Sequence, residues 1–383
     1  MASSSPSPVP RHPPAAVLLL SLPVALVLLL LQPAAEARPP PPLRGARPLA
    51  FDEGYTQIFG SANLALLRDG RRVRLALDES TGRPCDFRGG EGVLCEVTHR
   101  RRRLPPPSCA GAGFASQDQF LHGFFSAAIR LPAGYAAGVV VAFYLSNGDL
   151  YERTHDELDF EFLGNVRGRE WRVQTNVYGN GSTHAGREER YDLPFDPTDA
   201  FHHYSILWTT RRIVFYVDET PIREVVRTAA MGAAFPSKPM SLYATIWDGS
   251  AWATLGGRYR VNYKYAPFVA DFADLVMQGC AVDPTADHSA AAAACDGGSG
   301  GSFEAVAVSG EQRAGMAAFR RGHMSYSYCH DRRRYPSPLS ECDAAAAAAG
   351  GLLPPHLFGP DGMRQRRHRR AAARGHRALD DAM

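Results

Sequence analysis

The feature that most constrains the fold is a stretch from His155 to Asn165 (HDELDFEFLGN) in which polar and apolar residues alternate. Successive side chains of an extended strand point to opposite faces, so Glu157, Asp159 and Glu161 share one face. A sheet with one face packed on a core is what produces such alternation. We therefore predict a strand that carries three carboxylates on the face away from the core. The core face is predicted to carry Leu158, Phe160 and Phe162.

Most of the chain favours an all-β fold. Short β-branched and aromatic runs, separated by Gly, Pro and Asn, continue from residue 51 to about residue 226. Such spacing is typical of a β-sandwich or jelly roll. With 383 residues, of which 45% are hydrophobic, the chain can bury one large core. Residues 311–323 are the best helical candidate. The clearest strand candidates are residues 73–77, 123–129, 171–178 and 212–218.

The first forty residues have the features of an export signal. An apolar run over residues 15–31 is followed by Ala35-Glu36-Ala37, the small-x-small pattern that signal peptidase requires. We predict a signal peptide at residues 1–37. A membrane anchor is the alternative, but Pro23 and Pro33 leave a run that is short for a span of about 20 residues. The protein is thus expected without an anchor, in an oxidising compartment where cysteines pair.

Composition divides the remaining chain into three parts. We place a β-sandwich domain at residues 38–275, a cysteine-containing extension at 276–345 and a basic tail, predicted to be disordered, at 346–383. Within the first domain, residues 83–112 have three cysteines, four consecutive arginines and three consecutive prolines, with no strand or helix pattern. A structureless loop of this length is uncommon in a compact domain. A functional lid and an inert insertion both remain open.

The tail concentrates the positive charge. Residues 364–377 contain seven arginines and no acidic residue, whereas the whole chain has a net charge of +3. Nucleic acid is a poor partner for an exported chain, while an acidic polysaccharide would attract such a segment electrostatically. A merely solvated tail is the alternative.

Three aligned carboxylates point to acid/base chemistry. They repel one another, and a purely structural strand gains nothing from that arrangement. In a cleft, the repulsion would keep at least one protonated near neutral pH, as a general acid for glycoside cleavage requires. Retaining glycosidases need two carboxyl groups about 5 to 5.5 Å apart. Glu157 and Glu161 are separated by four residues, about 13 Å between Cα atoms, so their side chains must lean toward each other on a curved sheet.

Two other interpretations of this strand remain. One is a solvated acidic strand and the other is a calcium site. Catalysis is the preferred interpretation, and it requires neither a cofactor nor a metal ion.

At this motif the sequence resembles the plant xyloglucan endotransglucosylase/hydrolases of glycoside hydrolase family 16, whose active strand reads HDE-[IL]-DFEFLG. The resemblance covers most of the chain from residue 51 to residue 342, and is closest to the subgroup with a longer loop at residues 145–151. It implies a bent β-jelly roll with an open cleft and a retaining mechanism. By this resemblance Glu157 is the nucleophile, Glu161 is the general acid/base, and Asp159 modulates the ionisation of the nucleophile.

The resemblance also implies a sugar-binding surface. Trp247 and Trp252 could stack on pyranose rings, although core packing is the alternative for both. Tyr326 and Arg334 fall in the C-terminal extension, which in the family lengthens the acceptor side of the cleft. The full set of implied sugar-binding residues is Tyr144, Gln174, Asn176, Arg190, Trp247, Trp252, Tyr326 and Arg334.

Cysteines and the glycosylation sequon complete the implied features. The four cysteines of the extension allow three pairings, and the resemblance implies Cys280–Cys295 and Cys329–Cys342. The only Asn-x-Ser/Thr sequon is at Asn180. Residues 83–112 have no counterpart in the family, and we interpret them as an artefact of the gene model. If they belong to the mature protein, they add an odd number of thiols: Cys85, Cys95 and Cys109.

The resulting prediction is a secreted, monomeric enzyme of the cell wall and apoplast. It would cleave the β-1,4-glucan backbone of a xyloglucan donor and transfer it to a xyloglucan acceptor. One alternative is a hydrolase with the same residues, in which water attacks the intermediate. Another is a non-catalytic glucan-binding jelly roll, which would have no need of Glu157 or Glu161.

Overall fold

The computed structural model describes residues 46–81, 111–166, 171–283, 295, 303, 306–342 and 353–365. Apart from short 3-10 turns, its elements in chain order are α1 (Phe51–Gly54), β1 (Tyr55–Phe59), β2 (Leu64–Leu67), β3 (Arg72–Leu77), β4 (Gly111–Ser116), β5 (Gln119–Arg130), β6 (Val139–Ser146), β7 (Glu157–Leu163), β8 (Arg172–Tyr178), β9 (Glu189–Asp192), β10 (His202–Trp208), β11 (Arg212–Val217), β12 (Thr220–Val226), β13 (Ser241–Asp248), β14 (Phe268–Val282), α2 (Gly310–His323) and β15 (Met324–Ser327).

The strands form two antiparallel sheets. The eight-stranded sheet has the order β1-β4-β13-β6-β7-β8-β9-β15, and the seven-stranded sheet has the order β12-β11-β10-β5-β14-β3-β2. About half of the neighbouring pairs join strands that are not consecutive in the chain, as in a jelly roll. The predicted all-β sandwich, including each of the four strand candidates and the C-terminal helix, is confirmed.

One hydrophobic core fills the space between the sheets. The apolar faces of β6 and β7 supply Phe143, Phe160 and Phe162 to this core. Phe160 and Phe162 meet Tyr204, and Phe160 also meets Phe215, in edge-on ring contacts with the opposite sheet. All are essentially inaccessible to solvent. Large aromatic side chains of this kind dominate core energetics because each buries about 150–250 Å². The apolar residues predicted for one face of β7 are therefore the ones that lie in the core.

The start of β4 corrects the boundary of the insertion. Residues 83–112 were predicted to lack regular structure, but Gly111 and Ala112 belong to a strand that pairs with both β1 and β13. Gly111 has φ of +124°, and a Cβ there would lie 1.9 Å from the Ile246 carbonyl oxygen. Only glycine fits so close a strand approach. Residue 111 therefore lacks a β-forming side chain because the neighbouring strand leaves no room for one.

The C-terminal extension is fastened to the sandwich. Ser309 is the N-cap of helix α2. Its side-chain oxygen accepts from the backbone N–H of Gln312, and its own backbone N–H donates to the Gln312 side chain. The helix packs mainly on β12. The two implied disulfides, Cys280–Cys295 and Cys329–Cys342, are confirmed. Strand β14 continues to Val282 and so crosses the boundary placed after residue 275.

Part of the predicted disordered tail is ordered. Residues 353–365 bury Leu353 and Phe358, and an isolated bridge joins Met363 to Tyr326 of β15. The apolar residues of this segment supply the burial that offsets its ordering entropy. The prediction of disorder is wrong for these residues.

The remaining sequence predictions on organisation lie outside the described residues. These are the signal peptide at residues 1–37, residues 83–110 of the insertion with its three cysteines, and the arginines after residue 365. Among the described residues, no helix is both long and apolar enough to cross a membrane.

Candidate active site

The three carboxylates lie near the middle of the eight-stranded sheet, on its outer face. Strand β7 is paired with β6 on one side and with β8 on the other. Glu157 lies opposite Ser146 and Tyr178, and the neighbours of the other two carboxylates include Tyr144, Gln174 and Asn176, which the resemblance implied. Asp159 is flanked by Tyr144 and Asn176, and Glu161 by Ala142 and Gln174.

Burial makes these carboxylates reluctant to ionise. Glu157 is 7% exposed and Asp159 is 5% exposed. Burial raises the pKa of Glu157 to about 7, with the negative charge of Glu161 adding to the effect. Burial also raises the pKa of Glu161 to about 7, and Glu188 adds to it. Both glutamates therefore hold a proton more readily than a glutamate in water does.

Asp159 has the strongest preference for a proton. Burial raises its pKa well above the ordinary value, and it lies between Glu157 and Glu161 with Glu188 close by. Its hydrogen bond to Glu157 favours the protonated form of Asp159 and the ionised form of Glu157. A protonated Asp159 thus donates to a Glu157 carboxylate. Ser146 also hydrogen-bonds Glu157 and lowers its pKa.

Glu161 is held by a line of side chains across three strands. Gln174 Nε2 donates to Glu161 Oε2 (2.5 Å), and Arg190 Nε donates to Gln174 Oε1 (2.6 Å). The Arg190 guanidinium lies 5.0 Å above the ring of Tyr326. The amide of Gln174 is therefore fixed in one orientation, with its NH₂ group toward Glu161. Tyr326 lies on β15, the edge strand, where it pairs with Arg190 of β9, so these contacts extend from Glu161 to the edge of the sheet.

Tyr144 and Asn176 flank Asp159 as expected. The Tyr144 ring stacks on Tyr243, with 5.1 Å between centroids. Asn176 Oδ1 accepts from the backbone amides of Val177 (2.9 Å) and Arg187 (2.8 Å). Both side chains are thus fixed against the sheet beside the carboxylates.

The two tryptophans lie toward one end of the same face. Trp247 of β13 pairs with Val140, next to the end of β7, and its ring centroid is 6.0 Å from that of Trp252. Trp247 is 3% exposed and packs with Val140, Leu163 and Ala253, whereas Trp252 is only partly buried. Trp252 is therefore the better placed of the two for a stacking contact.

The extension brings Tyr326 and Arg334 to the opposite edge. Tyr326 donates to Asp331 Oδ2 (2.9 Å), and Arg334 donates to Glu188 Oε2 (2.5 Å). Glu188 is also one of the charges that raise the pKa of Asp159 and Glu161. A chain of contacts thus links the extension to the central carboxylates.

Sequence reasoning missed three residues of this site: Ser146, Glu188 and Tyr243. Glu188 precedes Glu189, and nothing in the doublet tells which of the two points toward the carboxylates. Ser146 and Tyr243 depend on the register of β6 and β13, which local sequence does not specify.

Asp156, inside the motif itself, was also left without a role. Its carboxylate accepts from the amides of Asn180 (2.7 Å), Ser237 (2.8 Å) and Lys238 (2.9 Å), and from Lys238 Nζ (3.0 Å). Two loops are thereby fastened beside Glu157. The sequon residue Asn180 is exposed on one of these loops.

The arrangement is suited to acid/base and nucleophilic chemistry at one centre. An ionised Glu157, supported by a protonated Asp159, lies on the same strand face as Glu161, which exchanges a proton near pH 7. Among the residues that the structure describes, no group of three or more His, Cys, Asp and Glu side chains is arranged to hold a metal ion.

Comparison with known proteins identifies the family of the chain. The family model described as glycosyl hydrolases family 16 matches residues 52–265, and the model for the xyloglucan endo-transglycosylase (XET) C-terminus matches residues 298–342. "Probable xyloglucan endotransglucosylase/hydrolase protein 28" of Arabidopsis thaliana is 55% identical over 84% of this chain and 88% of the relative. Protein 27 of the same series and organism is 54% identical over 87% of this chain and 90% of the relative. The chain therefore belongs to the xyloglucan endotransglucosylase/hydrolases of glycosyl hydrolase family 16.

Proposed function

We propose that this protein is a xyloglucan endotransglucosylase that works through a covalent glycosyl-enzyme intermediate. The observation that carries the proposal is the arrangement of Glu157, Asp159 and Glu161 on one face of β7. Burial raises the pKa of all three, and the hydrogen bond between Asp159 and Glu157 favours the ionised form of Glu157. The site thereby offers a carboxylate nucleophile and a carboxylic acid at once.

The first chemical step breaks the donor chain. The Glu157 carboxylate attacks the anomeric carbon, and Glu161 gives its proton to the departing glycosidic oxygen. A glycosyl ester on Glu157 and a new chain end result. Gln174 stabilises the Glu161 carboxylate that forms, since its amide already donates to that side chain.

The second step rejoins the chain to an acceptor. The Glu161 carboxylate takes the proton of an acceptor hydroxyl, whose oxygen attacks the same anomeric carbon and releases Glu157. Two displacements at one carbon retain its configuration. The proton that Glu161 gave to the leaving oxygen in the first step is replaced in the second by the proton of the acceptor hydroxyl.

Transfer requires that a sugar hydroxyl outcompete water, present at roughly 55 M. Bound and oriented groups can reach effective concentrations of about 10⁵ M or more. We assign acceptor binding to Trp252, Tyr326 and Arg334, and sugar contacts beside the carboxylates to Tyr144, Gln174, Asn176 and Arg190, with Trp247 as their support. The shared line from Glu161 through Arg190 to Tyr326 supports this assignment.

The deciding experiment is product analysis on xyloglucan with a fluorescent xyloglucan oligosaccharide. A transferase produces labelled polymer in excess over new reducing ends, and the Trp252→Ala variant should lower that ratio. Reducing ends without labelled polymer would make the protein a hydrolase with the same carboxylates. Neither product, from a folded protein, would reject both enzymatic functions in favour of glucan binding.

Further proposals rest on sequence. We propose secretion to the cell wall after removal of residues 1–37, action as a monomer, an N-glycan on Asn180, and attraction of the arginines of residues 364–377 to acidic polysaccharide. The domain division at residues 38–275, 276–345 and 346–383 is likewise proposed, although strand β14 crosses the first of these boundaries. Exposure of Asn180 supports the glycan. Mass analysis of the secreted protein, before and after deglycosylation, tests cleavage and glycan together.

A further inference from the structure

A second charged surface lies on the outer face of the seven-stranded sheet. In β3, Val73 and Leu75 point into the core, so Arg72 and Arg74 point outward. On the neighbouring strands, Asp271 of β14 pairs with Arg74 on one side and with Arg130 of β5 on the other. The three side chains thus form a row across three strands.

This surface exposes its positive charges and covers its negative one. Arg74 binds Asp271 through two hydrogen bonds (2.8 and 3.1 Å), and Arg130 donates to Asp271 Oδ2 (2.6 Å). The Asp271 side chain is only 2% exposed, whereas those of Arg74 and Arg130 are 41% and 37% exposed. One covered carboxylate therefore serves two arginines that still face solvent.

Two more arginines extend the surface. The Arg72 guanidinium lies 4.8 Å from the centroid of the Phe201 ring, and that of Arg130 lies 5.2 Å from it. The exposed Arg68, in the turn before β3, acts on Arg72 electrostatically. Burial lowers the pKa of Arg72, and the like charges of Arg68, Arg130 and Arg74 lower it further. We call Arg68, Arg72, Arg74 and Arg130 the arginine platform.

Small side chains occupy several neighbouring positions of the platform. Four alanines share its face of the sheet, together with Leu67 and Val269, and the Phe201 ring lies against Arg72 and Arg130. Alternate residues of a strand are about 6.6 Å apart and adjacent strands about 4.8 Å apart. A spaced array of this kind fits a polymer with repeated anionic groups better than one small anion. The alanines are Ala65, Ala76, Ala128 and Ala273.

We propose that the arginine platform binds an acidic polysaccharide of the polyuronate class, on the sheet opposite the carboxylates. Guanidinium groups match the geometry of carboxylates and bind them in a bidentate manner. Binding there would hold the enzyme on an acidic matrix and leave the face that carries Glu157 open to its own substrate. None of the platform residues belongs to the basic segment 364–377.

The test is binding of the full-length protein to immobilised polygalacturonate, in low and high salt. The Arg68→Gln/Arg72→Gln variant removes two charges and keeps the two arginines that hold Asp271, so the fold is preserved. The matched control, Arg321→Gln/Arg333→Gln, removes two exposed arginines elsewhere. We expect the platform variant to bind about 10-fold more weakly at low salt, with a shallower salt dependence, and to keep wild-type kinetics on soluble xyloglucan. The control should bind like the wild type.

Four outcomes would overturn the proposal. Equal weakening of both variants would reduce it to net charge. Equal binding to fully methyl-esterified galacturonan would exclude carboxylate recognition. A chain truncated after Gln365 that loses all binding, while the platform variant keeps it, would assign the effect to the tail alone. Tighter platform-dependent binding to double-stranded DNA than to polygalacturonate would replace the polysaccharide by nucleic acid.

Discussion

The pKa values of the buried glutamates on β7 and of the buried Glu189 on β9 are shifted in opposite directions. Burial raises the pKa of Glu157 and Glu161 to about 7. Burial acts in the same sense on Glu189 of β9, yet its pKa is lowered to about 2 because Arg320 and Arg223 adjoin it. Equal burial therefore gives opposite outcomes, according to whether a cation is packed alongside.

The difference separates a catalytic arrangement from a structural one. Glu189 points to the inner side of β9, where Arg320 of α2 donates to both of its oxygens (2.7 and 2.8 Å) and Tyr191 donates to one (2.5 Å). A saturated carboxylate of this kind is inert and fastens the extension to the sheet. Glu157 and Glu161 lack such saturation and remain able to exchange charge with a substrate.

The largest effect is expected from Glu157→Gln. The amide keeps the shape of the side chain but cannot attack the anomeric carbon, so cutting and rejoining should fall by about 10⁴-fold or more, beyond what acid/base assistance alone contributes. The measurement is release of reducing ends and formation of labelled polymer. Glu219→Gln, at an exposed turn, is the control. Substantial residual turnover would remove Glu157 from the role of nucleophile.

Removing the cation that pairs with Glu189 should lower the stability of the fold, whereas the loss of Glu157 should lower activity. Arg320→Met leaves Glu189 buried with only the more distant Arg223, at 3.6 Å, as a cationic partner. Breaking a buried pair in this way costs about 3–5 kcal/mol. Urea denaturation measures the loss, with the exposed neighbour Arg321→Met as control. A loss below about 1 kcal/mol would show that Arg320 is not needed to hold β9.

Glu157 and Glu189 should contribute to the pH dependence of stability with opposite signs. The raised pKa of Glu157 means that its contribution to stability is fully present below about pH 4.5 and is lost as pH rises through about 7. The lowered pKa of Glu189 gives a contribution that is present above about pH 4.5 and is lost as pH falls through about 2.

Neutral substitutions on each strand test these opposite signs. Asp159→Asn should stabilise the protein at pH 8 by about 1–2 kcal/mol and have little effect at pH 4, because Asp159 must take up a proton on folding at pH 8 whereas the amide need not. Glu189→Gln should destabilise at pH 8 and much less near pH 2. Thermal melts across this range measure both. Parallel pH profiles for the two variants would contradict the comparison.

The smallest effect concerns the hydrogen bond to Glu161. The rate should be bell-shaped in pH, because Glu157 must be ionised and Glu161 protonated. Gln174 lowers the pKa of Glu161 by binding its ionised form, so Gln174→Met should move the alkaline limb of kcat/KM to higher pH. An alkaline limb that does not move would show that Glu161 is not the acid.

Some residues of the candidate site could be predicted from the local sequence pattern, and others only from the resemblance to a known family. Alternation within residues 157–163 predicted both the core face of β7 and the carboxylate face, because side-chain direction in a strand follows from local geometry. The resemblance to a known family supplied Gln174, Asn176 and Arg190, which the register then places beside Asp159 and Glu161. The roles assigned to the sugar-binding residues stay predictions.

Tertiary structure decided what the local pattern cannot contain. The ordering of residues 353–365 follows from burial against residues far away in sequence, and the glycine at position 111 was required by a strand that comes 135 positions later, at Ile246. The pairing of Glu189 with Arg320 joins residues 131 positions apart. By itself the sequence determined that three carboxylates share one strand face, since that depends only on a period of two. Only the fold decided which buried carboxylates would meet a cation, because the electrostatic energy of a buried charge depends on neighbours brought together in space.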